Sequence, residues 1–183
     1  IGANITEDGE TTIPARLLTD LIRTFPNQNI NLESDNASNT INIQCGPFDS
    51  NLITQPSEDF PPIPQLENME PQFEINADVL LKLINSVIFS AAQDQSRPVL
   101  TGIKFSIENN TLTLASADGF RLSIINYKFE NNVSDLDFIV PSKSLAELAR
   151  ILPISENTVK IFITPAANQV IFMMDSYQLT TTL

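Results

Sequence analysis

The sequence contains no histidine. That removes the commonest general base, the commonest metal ligand and every Ser-His nucleophile pair. It has one cysteine, Cys45, so no internal disulfide framework forms, and the usage fits a reducing compartment with a cytoplasmic location. Cys45 lies in the alternating run Asn42-Ile43-Gln44-Cys45, and a buried structural role is expected, as for most free cysteines. No apolar run approaches the roughly 18 residues that cross a bilayer. No signal-peptide pattern is present at the start, and no membrane partner is expected. Positive charge is scarce as well: ten Lys and Arg stand against 22 Asp and Glu, a net charge of −12. A generally basic nucleic-acid surface is therefore excluded, and only a localised basic face remains open.

What the chain does have is a repeat. Ile13-Pro14-Ala15-Arg16-Leu17-Leu18-Thr19-Asp20-Leu21-Ile22-Arg23-Thr24-Phe25-Pro26 returns as Val140-Pro141-Ser142-Lys143-Ser144-Leu145-Ala146-Glu147-Leu148-Ala149-Arg150-Ile151-Leu152-Pro153. Pro14/Pro141, Arg16/Lys143, Leu18/Leu145, Asp20/Glu147, Leu21/Leu148, Arg23/Arg150 and Pro26/Pro153 match in chemistry. Three short apolar runs follow each copy. The spacing is that of a duplicated domain, far beyond the roughly 20–50 residues of a solenoid unit. The chain is expected to begin part-way through a first domain (residues 1–56). It then crosses a linker made semi-rigid by Pro61, Pro62 and Pro64 (57–70) and continues through a second domain (71–183).

In the first copy, Leu17, Leu18, Leu21, Ile22 and Phe25 form one apolar stripe, which predicts a helix between Pro14 and Pro26. Three strands follow, broken at 35–39 and at Gly46-Pro47. In the second domain Phe73 and Ile75 predict a strand. Asn76 is an expected N-cap, and the stripe Val79, Leu80, Leu83, Ile84, Val87, Ile88 predicts a helix to about Ser90. Strands are expected over 97–108 and 111–115, joined by a hairpin at Asn109-Asn110, then over 121–129 and 137–140. A helix over 142–152 and three more strands complete the pattern. Each half of this domain is thus a strand and a helix followed by three strands. The fold class is α+β, two helices packed on antiparallel sheets in an internally duplicated domain.

Arg16 and Arg23 lie seven residues apart, nearly on one helical face. Lys143 and Arg150 repeat them, and Lys82 lies opposite Leu80 and Val87. Half of the cations therefore sit on the outer faces of three helices, while the acids are expected in strands, turns and linker. On this pattern alone the faces read either as ordinary solvated helix surface or as a surface that tracks phosphates without reading bases.

The segment Arg97-Pro98-Val99-Leu100-Thr101-Gly102-Ile103, followed by Ala115-Ser116-Ala117-Asp118-Gly119-Phe120-Arg121-Leu122, closely resembles the second domain of the bacterial replicative sliding clamp, the β subunit of DNA polymerase III. The family pattern is an Arg-x-x-Leu-x-Gly strand and then Ala-Thr-Asp-Gly-His-Arg-Leu. The repeated Val-Pro-x-Lys-x-Leu-x-Glu-Leu helix and Asp59-Phe60-Pro61 belong to the same likeness, which covers nearly the whole chain. The resemblance implies a homodimeric ring of three-domain subunits, with helices lining the hole and the third domain absent from this chain. It assigns Arg16, Arg23, Lys82, Lys143 and Arg150 to the DNA-facing surface, with sequence-independent duplex DNA as partner. It implies a pocket for short linear peptides of the replicative polymerase catalytic subunit, the clamp loader and repair proteins, at Leu100, Ala117, Gly119, Phe120, Arg121 and Leu122. No cofactor and no metal are implied. On the residues alone Asp118-Gly119 reads as a plain loop turn and Leu122 as a core position. Ala117 and Phe120 depart from the family Thr and His, each removing a polar group.

The implied function is a non-catalytic polymerase processivity factor. Two readings from other classes stand beside it. A metal-dependent hydrolase would draw on Asp59, Glu67, Glu70, Asp94 and Asp118, but these acids have no recognisable spacing and no phosphate loop or nucleophile motif accompanies them. The other is a standalone protein-interaction module.

Overall fold

The computed structural model describes residues 2–35, 38–60, 64, 66, 69–94, 96–154, 158–175 and 177–183. The chain divides into two compact units, Ile1–Ile63 and Pro64–Leu183.

In the first unit Pro14, with φ −57°, leads into α1 (Ala15–Ile22). The helix ends sooner than the stripe suggests, and Arg23 to Phe25 form a turn. Leu18, Leu21 and Phe25 are half-buried, whereas Leu17 and Ile22 remain exposed. Strands β1 (Asn31–Asp35), β2 (Thr40–Cys45) and β3 (Phe48–Ile53) form an antiparallel sheet in that order. Ile41, Ile43 and Cys45 are its buried face. Phe25 stacks obliquely on Phe48 at 5.9 Å, and the Cys45 thiol points at the Pro26 carbonyl at 3.7 Å. Both contacts close the end of the helix over the sheet. Gln55, at the edge of the Pro-rich stretch, pairs back with Thr12, and Ser57–Asp59 form a 3-10 turn. Pro61, Pro62 and Glu67 lie outside the described residues.

The second unit runs β4 (Phe73–Asn76), α2 (Ala77–Val87), β5 (Gly102–Glu108), β6 (Thr111–Ala117), β7 (Leu122–Lys128), β8 (Leu136–Pro141), α3 (Ser142–Ile151), β9 (Thr158–Ile163), β10 (Gln169–Met174) and β11 (Tyr177–Thr182). The Asn76 side chain accepts from the Asp78 amide at 2.9 Å, satisfying one of the free donors at the start of α2. Asn109 and Asn110, both at positive φ, make the two-residue hairpin between β5 and β6. The strand expected from Arg97 begins only at Gly102. Pro98 has no donor for a ladder, and 98–101 instead form a 3-10 turn.

The duplication is present with one exchange. The two four-stranded sheets have the orders β11-β10-β9-β4 and β7-β6-β5-β8. Each half therefore lends its first strand to the other half's sheet. One core joins both sheets and both helices: Leu80, Ile84 and Val87 of α2 and Leu145 and Leu148 of α3 are fully buried among Phe105, Leu112, Leu114 and Phe172. Burying each such side chain stabilises the fold by about 1.5–3 kcal/mol. Phe105 stacks on Phe138 at 5.1 Å, tying β8 to β5.

Candidate functional site

Along β6 and β7 every second side chain points into this core, and the others form the opposite face of the sheet. Leu112, Leu114 and Ser116 are buried; Leu122 and Ile124 are not. Leu122 is 64% exposed. The reading of Leu122 as a core position is thus corrected, because Ser123, Ile125 and Tyr127 take the inward positions of β7.

Outward, Val99, Leu100, Ala117, Leu122 and Ile139 border a shallow apolar cleft of about 210 Å³, floored by Gly102 and Ala115. Gly102 is where the sheet leaves no room for a side chain. A Cβ there would collide with Ile139 Cγ2 and lie 3.1 Å from the Val140 carbonyl oxygen. The cleft wall is held from behind. The Ser116 hydroxyl donates to the Val87 carbonyl at the end of α2, and the Ser90 and Ser123 hydroxyls bond at 2.6 Å. The Ala92 amide donates to the Leu100 carbonyl at 2.9 Å, fixing the 3-10 turn that carries Val99 and Leu100.

Of the six residues implied by the resemblance, the structure brings Leu100, Ala117 and Leu122 together in the cleft. Gly119, Phe120 and Arg121 do not line it; they form the turn beside it. Asp118 organises that turn. Its Oδ1 accepts from the Phe120 and Arg121 amides, each at 3.0 Å, and its Oδ2 accepts from Arg121 Nε at 2.9 Å. The Phe120 amide, then the Arg121 amide, and more weakly the Arg121 guanidinium hold the Asp118 carboxyl below its usual range. Gly119 sits at φ +91°, the left-handed region that glycine enters freely. Phe120 is fully exposed, and the Arg121 guanidinium lies 6.0 Å from the Phe89 ring centroid. The cleft residues that sequence reading missed are Val99, Gly102, Lys104, Ala115 and Ile139. Val99, Gly102 and Ala115 were within the quoted segments, but Ile139 enters only through strand pairing.

The five helix-borne cations are all exposed. Here the charge pattern needs a correction, since acids also occupy these helices. Asp20 lies 4.0 Å from both Arg16 and Arg23, and Glu147 holds Arg150 at 2.9 and 3.0 Å. Asp78 sits on the first turn of α2. Lys82 and Lys143 have no ion pair among the described residues. These helices, with Arg23 in the turn that ends α1, still carry five cations against three acids, within a chain of net charge −12.

Among the described residues no three Cys, Asp or Glu side chains gather as a metal site, and no helix is long and apolar enough to cross a membrane. The Asp94 carboxylate is engaged by the Ser96 amide.

Residues 1–64 match the family model for the DNA polymerase III beta subunit, N-terminal domain, and residues 74–183 match that for its central domain. The Beta sliding clamp of Staphylococcus aureus is 30% identical over 169 residues, 92% of this chain and 44% of that protein. The chain thus spans about half the length of the curated relatives it matches. The crystal structure of the Bacillus subtilis DNA polymerase sliding clamp superposes with a TM-score of 0.89 at 26% identity, covering 98% of this chain and 47% of that one. The Streptococcus pneumoniae DNA polymerase III beta chain gives 0.87 at 28%, covering 98% and 47%. With both family models in register along the chain, and the duplicated α+β fold shared with these structures, the chain belongs to the bacterial sliding clamps, the DNA polymerase III beta subunit family.

Proposed function

We propose that the protein is a non-catalytic processivity factor that encircles duplex DNA as a homodimeric ring. In this reading residues 1–56 complete a first clamp domain, 57–70 link it to the central domain at 71–183, and a third clamp domain completes the subunit. The protein acts in the cytoplasm and tethers the replicative polymerase, the clamp loader and repair proteins through short linear peptides. The observation that carries the reading is the cleft at Leu122. A leucine 64% exposed on a sheet face, beside a turn fastened by three bonds to one carboxylate, has no task in the fold itself. It is suited to an apolar anchor of a docked peptide. Phosphate contacts from Arg16, Arg23, Lys82, Lys143 and Arg150 carry no sequence information, so a ring holding DNA through them is free to slide.

The test titrates a fluorescein-labelled peptide from the replicative polymerase into full-length protein. Leu122→Asp puts a carboxylate where an anchor must be buried, and affinity falls at least ~30-fold, about 2 kcal/mol. Arg16→Ala leaves peptide affinity unchanged. Wild-type affinity in a folded Leu122→Asp variant refutes the site. The ring is tested by retention on DNA. Loaded protein stays on circular duplex and runs off linear duplex with open ends; equal retention on both refutes topological binding.

A further inference from the structure

Beyond Leu122 the outer sheet face keeps its apolar character for one more row. Ile124, Ala115, Lys104 and Ile139 lie side by side across β7, β6, β5 and β8. The centre of this face carries the small side chains Ala117, Gly102 and Ala115, with the Lys104 stem beside Ala115, and its flanks carry branched ones, Leu122 and Ile124 on one side and Ile139 on the other. Small residues between tall ones make a trough that runs along the strands. Ile124 is 57% exposed on its wall. One row further the face turns polar: Asn126 bonds Thr113 at 3.0 Å, and Asp137 follows on β8. Lys104 stands at the boundary, bordering both the apolar cleft and a polar hollow of about 450 Å³ beyond it. Its Nζ reaches Asp137 at 3.2 Å, with both side chains at least half exposed.

We infer that the trough takes two further side chains of the docked peptide, an apolar one over Ala115 between Ile124 and the Lys104 stem, and an acidic one at the Lys104 ammonium. This rests on the reading of the Leu122 cleft as a peptide site. Rows on one sheet face repeat every second residue, about 6.7 Å, which is also the spacing of same-side residues in an extended peptide. A peptide whose anchor sits at Leu122 and which continues along β6 therefore meets the Ala115 row two residues later and the Lys104 head four residues later. The preferred pattern is apolar-x-apolar-x-acidic. An exposed pair such as Lys104–Asp137 is weakly held in water, so the ammonium is free to turn to an incoming carboxylate while Asp137 returns to solvent.

The probe is the fluorescein-labelled polymerase peptide trimmed to end on its last apolar anchor, compared with a form continued by Ser-Leu-Ser-Asp and with one preceded, before its first anchor, by Asp-Ser-Leu-Ser. One of the two extended forms binds full-length protein about 5- to 10-fold tighter than the trimmed peptide. Ile124→Ser removes most of that gain. Lys104→Gln, or Asn for the peptide Asp, removes about two- to threefold. Ile124→Ser is an exposed substitution outside the cleft lining and binds the trimmed peptide as wild type does; for Lys104→Gln, which borders the cleft, the readout is the ratio of extended to trimmed affinity. If neither extension tightens binding, or the gain survives Ile124→Ser, the trough is refuted. If the gain ignores Lys104→Gln, the acidic position is refuted. If Leu122→Asp binds the trimmed peptide normally, the cleft itself fails and the trough falls with it.

Discussion

Gly102→Ala is a one-methyl change that should damage both the fold and the cleft. The backbone there has φ −100° and ψ 170°, which any residue adopts, so the cost is one of space. The new Cβ would overlap Ile139 Cγ2 and lie 3.1 Å from the Val140 carbonyl oxygen. Neither neighbour yields easily. Ile139 is β-branched and stiff at χ1, and Val140 is fixed by its pairing with Ile103. Overpacking of this kind costs about 1–3 kcal/mol; with two unyielding neighbours we expect about 3. At about 3–5 °C per kcal/mol for a unit of this size, the midpoint falls by about 10 °C. The cause is separable. Ile139→Ala removes Cγ2 and alone costs about 1 kcal/mol, a typical value for a half-buried truncation. If the clash is the mechanism, the double variant is less destabilised than the sum of the two, with a coupling of at least ~1 kcal/mol. Full recovery is not expected, because the Val140 oxygen remains. The assay is thermal and urea unfolding of the four proteins followed by circular dichroism. Gly102→Ala within about 0.5 kcal/mol of wild type, or strictly additive costs, refutes the account.

Two further outcomes are expected. The Asp118 carboxyl is held below its usual value of 3.8 by the Phe120 and Arg121 amides; its contribution is present above that value and lost only as pH falls through the lower folded-state value. The Phe120 and Arg121 amide shifts in NMR spectra should therefore titrate together with a midpoint below 3.8. Asp20→Asn removes the acid between Arg16 and Arg23. It should tighten association with a short duplex a few-fold at low salt, an advantage that salt erases, as read by a salt titration of fluorescence anisotropy.

Most of the elements were legible because two periodicities carry them. Leu80, Leu83, Ile84 and Val87 mark a helix at 3.6 residues, and Leu112 and Leu114 mark a strand at two. Asn76 and Asn109-Asn110 supplied the cap and the hairpin turn by known local chemistry. What could not be read locally was which face of a strand is inside. β7 is apolar on both faces, with Leu122 and Ile124 on one and Ile125 and Tyr127 on the other, so alternation alone leaves Leu122 as plausible in the core as at the surface. The helices decide it, by covering the side that carries Ile125 and Tyr127. The charge pattern had the same weakness. The repeat aligned Asp20 with Glu147 as plainly as it aligned the cations, yet only helical geometry brings each acid beside the arginine it offsets. The cleft was legible in part for a related reason. Its Leu122 wall lies within the Asp118–Leu122 motif, a short stretch of chain. Its opposite wall, Ile139, belongs to β8, which opens the second half of the duplicated domain and pairs with β5 of the first. That pairing also presses Ile139 against Gly102, so the exchange of first strands that joins the two halves into one core is what closes the cleft.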